Sequence, residues 1–231
     1  MNSRDVSKEI KEQIKPWLKD QGFQKITARN AWRTSEDTIE VLNFESFNSY
    51  NASVMGVTTF SFAINLGVYY KYLNLRPWSN CEVLSEPKYP ECHAIRSVLK
   101  GIKQPETGSE SVWFIAEDGS NLRSVVSEAK KQIIELAPSW YGEFTDAERA
   151  LDIFQNRPES YSKSAGLFER LGGLGYSLSR AEIVSFLAIK TGNITQAVNF
   201  WRKLKESEFY QKHQSVIEDA ENKIEQLASL I

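Results

Sequence analysis

Apolar and polar side chains alternate most regularly in residues 60–73, FSFAINLGVYYKYL. Apolar side chains occupy every second position from Phe60 to Tyr72. Alternation of this length is typical of a β-strand with one face against the core and a second, more polar face. The second face carries Ser61, Ala63, Asn65, Gly67, Tyr69 and Lys71.

Further strand-like segments lie on both sides of this stretch. Residues 23–34 and 38–47 precede it, separated by polar turns such as SED (35–37) and NSYNAS (48–53). Short connections favour antiparallel neighbours, so the three segments predict a meander. After a proline-bearing loop at 77–90 come CHAIRSVL (92–99) and SVWFIAED (111–118). The latter is apolar on both faces, which predicts a central strand.

The chain opens with a helical pattern. In residues 3–20, Val6, Ile10, Ile14 and Trp17 share one side, and Lys8, Lys11, Lys15 and Lys19 lie on the far side. Pro16 predicts a kink or a break, and Gly22 predicts the end of the helix.

The period changes to helical again from residue 120. Ser120 or Asn121 is suited to cap a helix that ends at Pro138, and Thr145 to cap a shorter helix after it. The polar segment RPESYSKSAG, 157–166, marks a boundary, and glycines in 170–180 indicate a turn between helices.

The pattern of the C-terminal part predicts a helical hairpin followed by a long helix over 212–231. Gly192-Asn193 forms the turn, and interlocking apolar positions flank it at Ala188, Ile194, Ala197, Trp201 and Leu204. This hairpin resembles a single tetratricopeptide-type unit. The predicted fold class is α+β, a mostly antiparallel sheet packed with helices and followed by an α-helical C-terminal region. We expect domains at 1–144 and 145–231.

Composition and charge exclude several classes of protein. A net charge of -2 and an isoelectric point near 5.9 argue against a dedicated nucleic-acid binder. The N-terminus lacks the apolar core of a signal peptide, and no later run is long enough for a membrane helix. The expected location is the cytoplasm, where Cys81 and Cys92 are free thiols.

A set of short motifs resembles the uncharacterised bacterial family called domain of unknown function 4304, over roughly residues 5–140. Its order is Gly22-Phe23 after the first helix, NLGVY at 65–69, then His93 and Arg96, then Val112-Trp113-Phe114. The resemblance implies an α+β fold and a bacterial origin, and it implies no established activity.

Candidate catalytic chemistry is sparse. The two histidines, His93 and His213, lie far apart, without ligands at metal-site spacing. The glycine-containing segment 170–180 does not have the lysine of a phosphate-binding loop. It also does not follow a predicted strand, as a dinucleotide-binding motif requires. The sequence therefore predicts no catalytic residue, no metal and no cofactor. His93 and Arg96 form the one pair suited to an anion or a proton, but they point to opposite faces if the segment is a strand.

The leading hypothesis is a non-enzymatic protein that binds another protein, for example an immunity or accessory protein of a toxin or defence system. Its expected binding residues are Asn65, Tyr69, Lys71, His93 and Arg96. The second face of residues 60–73 is either this recognition surface or the seat of the C-terminal helices. One alternative is a hydrolase or nuclease, favoured if Glu40, Glu45, Glu82 and Asp118 converge on a cleft with Arg96. Another is a domain that binds a small ligand on the concave face of the sheet.

Overall fold

The computed structural model describes residues 1–73, 84–97, 112–156, 178–208 and 210–231. These residues have an α+β fold with a helical C-terminal region, which confirms the predicted fold class. The chain divides into two compact units, Met1–Lys71 with Leu84–Gly142, and Tyr72–Val83 with Glu143–Ile231. Independent domains at 1–144 and 145–231 stay a prediction.

The first unit contains an antiparallel sheet whose strands follow one another in chain order. The predicted meander is confirmed, because each strand pairs with its sequence neighbour, but the predicted first strand, 23–34, forms two short strands that pair with each other. The strands are β1 Lys25–Ile26, β2 Asn30–Thr34, β3 Thr38–Ser46, β4 Phe62–Tyr70 and β5 Ala94–Ser97.

The prediction of a central strand at 111–118 was wrong for the described residues of that segment. Trp113 makes an isolated bridge with Phe62, at the start of β4. The backbone of Ile115 is engaged elsewhere: its N–H donates to Ser61 Oγ (3.0 Å), and its carbonyl accepts from Thr58 Oγ1 (2.6 Å). These bonds take the place of strand-to-strand hydrogen bonds. The apolar side chains Val112, Trp113 and Ile115 are buried although the segment forms no strand.

Two helices at the N-terminus confirm the predicted break. α1 spans Ser3–Gln13 and α2 spans Lys15–Asp20, with Ile14 between them. Pro16 lies in the first turn of α2, where its missing N–H removes no helical hydrogen bond. Gly22 ends the pair with a φ of 82°, and the Phe23 N–H donates to the Leu18 carbonyl (3.0 Å), as in a Schellman motif.

The segment NSYNAS, 48–53, forms a helix rather than the predicted turn. α3 spans Ser49–Met55, and the Asn48 side chain accepts from the Asn51 N–H (2.8 Å) at its start. Gly56, with a φ of 65°, ends it in the left-handed conformation. Both caps were present in the sequence, but the low number of apolar residues concealed the helix.

The next helix, α4, spans Leu122–Thr145 and continues past Pro138, so the predicted end at this proline was wrong. Trp140, Tyr141 and Phe144, in the turns after the proline, are buried. Because packing supplies most of the stability of a helix in a protein, these contacts outweigh the loss of one backbone hydrogen bond.

The second unit is mainly helical in its described part after residue 143. It contains α5 Ala147–Asn156, α6 Leu178–Thr191, α7 Ile194–Glu206 and α8 Gln214–Ala228. Asp146 caps α5 by accepting from the Arg149 N–H (3.0 Å), in place of the predicted Thr145, which ends α4. The predicted hairpin of α6 and α7 is confirmed, with Gly192 at a φ of 73° in its turn.

A hydrogen-bonded tryptophan joins the two helices of this hairpin. Trp201 on α7 is buried and donates from Nε1 to Ser185 Oγ on α6 (2.7 Å). Ala188, Ala197 and Leu204 are also buried, as the interlocking pattern predicted. None of the helices in the described ranges is long and apolar enough to cross a membrane. The predicted boundary segment 157–166 and Cys81 lie outside the described residues.

Candidate functional site

The second face of β4 is covered by residues 84–93 of the same unit, here called the cap segment. A small apolar cluster joins them: Trp32, Ile39, Val41 and Tyr69 on the sheet, with Cys92 packed against it. The indole Nε1 of Trp32 also donates to the Pro87 carbonyl (2.9 Å). The part of this face around Tyr69 is therefore covered by the cap segment.

Cys92 of the cap segment packs tightly over Gly67 of β4. A Cβ added at Gly67 would lie 2.6 Å from Cys92 Sγ and 2.9 Å from Cys92 Cβ. Since real Cβ atoms do not approach this closely, only glycine fits in the present packing. Burial raises the pKa of the Cys92 thiol, so the group stays protonated and is a poor nucleophile.

His93 holds the end of the cap segment against the sheet. Its Nδ1 accepts a hydrogen bond from the backbone N–H of Tyr70 (2.8 Å), and the backbone N–H of His93 donates to the Val68 carbonyl (2.9 Å). The imidazole stacks on Tyr69, with ring centroids 4.8 Å apart. Burial lowers the His93 pKa to about 4, so at neutral pH the ring is uncharged and serves as an acceptor.

Three asparagines form a row across the same face, here called the polar row: Asn30 on β2, Asn43 on β3 and Asn65 on β4. Asn43 Nδ2 donates to Asn30 Oδ1 (2.7 Å), and Asn65 Nδ2 donates to Asn43 Oδ1 (3.0 Å). Asn65 Nδ2 also donates to Glu45 Oε2 (2.8 Å). The amides thus satisfy one another and end at an exposed carboxylate.

The structure places the predicted binding residues in different settings. Asn65 is 1% exposed and Tyr69 is buried, so neither presents an open recognition surface. Lys71 follows β4, and its Nζ donates to the Ser35 carbonyl. Arg96 in β5 pairs with Leu66 in β4. The side chain of Arg96 lies outside the described part of the structure. Tyr69 and His93 are brought together by ring stacking, whereas Asn65 bonds Asn43 and Glu45 in the polar row. A binding role for the five residues stays a prediction.

A charged pair lies on the other face of the sheet. Arg33 Nε donates to Glu40 Oε2 (2.7 Å) and Arg33 Nη1 donates to the Gln21 carbonyl (2.8 Å). The guanidinium lies near the rings of Phe23 and Tyr141, at 5.3 and 5.8 Å from their centroids. Burial raises the pKa of Glu40, and Arg33 opposes that shift. This pair ties the end of α2 to the sheet.

The carboxylates proposed for a hydrolytic site do not converge among the described residues. Glu40 is paired with Val68, whereas Glu45, five positions along β3, is on the opposite face and exposed. Asp118 is exposed in the turn before α4, where it accepts from the Ser120 N–H (2.9 Å). Glu82 lies outside the described residues. In the described ranges no group of His, Cys, Asp and Glu is arranged to hold a metal ion.

The exposed surface of α3 carries the feature that sequence reasoning missed. Tyr50 and Val54 are 76% and 69% exposed. They are four positions apart on one face of the helix, while Ala52 on the opposite face is buried. The sequence signal for this helix was the pair of apolar residues at helical spacing between the Asn48 cap and Gly56.

Comparison of the chain with protein-family models, with curated proteins and with solved structures found no match. The resemblance to domain of unknown function 4304 therefore stays a prediction.

Proposed function

We propose that this protein acts by binding another protein and not by catalysis. The supporting observation is the pair Tyr50 and Val54, which forms an apolar contact surface on α3. Isolated apolar residues on a protein surface are ordinary, but these two adjoin on a helix whose ends are both capped. The surface is therefore preorganised, which lowers the entropy that a partner must overcome.

The chemistry of the pair is suited to a protein partner. Tyrosine is enriched at the centres of protein interfaces, because its ring buries a large area while its hydroxyl keeps a polar partner. A role as an immunity or accessory protein of a toxin or defence system would use such a contact. Under this role we expect the partner to be encoded close to this chain.

The test is copurification from the native host with the tagged wild-type chain and with the double variant Tyr50→Ser/Val54→Ser. A copurifying protein is then produced alone and titrated calorimetrically against both forms. We expect the variant to bind about tenfold or more weakly, the size typical of losing an interface hot spot. Its thermal unfolding should match that of the wild type, since both side chains are exposed.

A matched control is Ile134→Ser, which removes an exposed apolar side chain from α4 in the same unit. It should leave the affinity unchanged. Equal binding by the wild type and the α3 variant, or the absence of any stoichiometric partner, would contradict the proposal.

A further inference from the structure

A continuous stripe of basic side chains runs along α1 and α2. Its members are spaced four, three, four and four positions apart, which places them on one side of a helix. We call this stripe the basic ridge, and it consists of Arg4, Lys8, Lys11, Lys15 and Lys19. Lys15 is partly buried and the other four are exposed.

The break between α1 and α2 does not disrupt the ridge. The buried stripe Val6, Ile10, Ile14 and Leu18 keeps a spacing of four across the break, so the helical phase is retained. Ile14 itself remains in the right-handed helical region, and the Leu18 N–H donates to its carbonyl (3.1 Å). The four lysines line one shallow surface groove, together with Glu12 and Pro16.

The charge of the ridge is largely uncompensated. Lys8 has a neighbour in Glu12, at 3.9 Å with both side chains exposed, and such pairs contribute little. The other four basic residues have no ion pair with a described residue.

Two other acidic residues of α1 are engaged elsewhere. Asp5 accepts from the Asn2 N–H (2.8 Å), and Glu9 accepts from Gln13 Nε2 (2.6 Å). They lie in a separate stripe beside the ridge, which leaves the ridge one side chain wide.

The ridge is also held rigidly in place. The apolar face of α1 and α2 is buried in the core of the first unit, and the Asn2 capping box orders the first turn of α1. The five cations therefore project from a fixed rod about 22 Å long, at about 1.5 Å per residue.

We infer that the basic ridge binds an acidic segment of a partner protein; this inference deepens the proposed function and rests on it. The match is one of charge and of spacing. Acidic side chains at every second position of an extended segment lie about 6.6 Å apart. The steps along the ridge are similar, about 4.5 to 6 Å.

Other polyanions fit the ridge less well. The chain has 28 basic and 30 acidic side chains, so the residues outside the ridge carry an excess of acidic side chains. A nucleic acid needs a broad basic surface, and the ridge is only one side chain wide. An anionic membrane would receive no apolar anchor, because the apolar face of these helices is buried.

The test uses fluorescence anisotropy with the full chain and a labelled peptide in which glutamate alternates with alanine over about fourteen residues, long enough to span the ridge when extended. The charge-reversal variant is Lys11→Glu/Lys15→Glu. Its matched control, Arg202→Glu/Lys203→Glu, changes the net charge equally at exposed positions of α7. Circular dichroism confirms that both variants are folded.

We expect the ridge variant to bind the peptide about tenfold or more weakly, and the control variant to bind like the wild type. Replacing glutamate by glutamine in the peptide, or raising the salt from about 50 to about 200 mM, should weaken binding similarly because the contact is electrostatic. Absent peptide binding, or equal binding by both variants, overturns the inference. So does tighter, ridge-dependent binding of an oligonucleotide of equal charge or of phosphatidylserine vesicles.

The same variants separate this inference from the proposed function. A copurified partner can be lost with the variant Tyr50→Ser/Val54→Ser and retained with the variant Lys11→Glu/Lys15→Glu. That result overturns the inference that the ridge binds the partner, and it leaves the proposed function standing. A partner retained by both variants contradicts both.

Discussion

At the scale of the residue, Gly67 and Cys92 set the distance between the sheet and the cap segment. We expect Gly67→Ala to destabilise the protein by about 1–3 kcal/mol, because the new methyl group would overlap Cys92 Sγ. Urea denaturation of the wild type and the variant measures the difference in the free energy of unfolding.

The control is Gly142→Ala. A Cβ at Gly142, inside α4, meets no other atom within 4 Å. That change should stabilise the protein by about 0.5–1 kcal/mol through helix propensity. Adding Cys92→Ala to Gly67→Ala should restore part of the loss, and strict additivity of the two changes would contradict the contact.

His93 should make stability depend on pH. Its pKa in the folded state, about 4, lies below its ordinary value of 6.5, so the unfolded state binds the proton more readily. The stability that this confers is complete above pH 6.5 and is lost as the pH falls from 6.5 towards 4. One differentially bound proton changes the free energy of unfolding by about 1.4 kcal/mol per pH unit within this window.

The matched variants are His93→Asn and His213→Asn, which replace the only two histidines of the chain. The amide oxygen of an asparagine at position 93 can accept the Tyr70 N–H, as the imidazole does. Denaturation at several pH values should show a shallower slope between pH 4 and 6.5 for His93→Asn. An unchanged slope would contradict the assignment of the effect to His93.

At the scale of the element, one buried arginine joins three helices of the second unit. Arg180 on α6 donates to the carbonyls of Phe154 and Gln155 at the end of α5, the latter at 2.8 Å. Its guanidinium also lies over the ring of Phe200 on α7, at 5.1 Å from the centroid. A cation at the C-terminal end of a helix satisfies carbonyls that have no partner within the helix.

Arg180→Met should therefore lower the free energy of unfolding by about 2 kcal/mol, because it leaves buried carbonyls without donors. Arg202→Met is the control, since Arg202 is exposed and bonds a neighbouring side chain, Asn199. Thermal unfolding should show a change within about 0.5 kcal/mol for the control. Equal effects of the two substitutions would exclude the helix-joining role.

Elements were predictable where local pattern and packing agreed. The N-terminal pair, the meander and the C-terminal hairpin each follow from periodicity and from glycine or proline at their ends. Two of the helix predictions failed, and for different reasons. Pro138 continues a helix because buried aromatic residues follow it, and α3 forms from two caps around a mostly polar segment.

At the scale of the whole molecule, the two units each contain their own buried side chains. We expect them to unfold separately, because the sequence predicts separate domains at 1–144 and 145–231, and separate domains unfold as separate cooperative units. Hydrogen exchange measured by mass spectrometry tests this with the variants above. Gly67→Ala should raise exchange in β3, β4 and the cap segment, and Arg180→Met in α5, α6 and α7. Faster exchange throughout both units in either variant would indicate one cooperative structure.

The candidate sites were also predictable only in part. The sequence showed the basic side of the first helix and the polar face of β4, because each follows from helical or strand geometry. It did not show that Tyr69 is buried, since the cap segment that covers it comes from the chain beyond β4. Tyr50 and Val54 were missed because their helix was taken for a turn.

Period-two and period-four patterns determined which side of each strand or helix turns towards a core, because that choice depends on residues within a few positions. The tertiary structure decided what covers the second face of the sheet, whether a proline ends a helix and which apolar side chains stay exposed. These outcomes depend on contacts between residues far apart in sequence, such as Tyr141 Oη with the Val41 carbonyl (2.8 Å) and Trp32 with Pro87. Such contacts form because the free energy of burial exceeds the entropy lost in closing long loops, and local periodicity does not encode that balance.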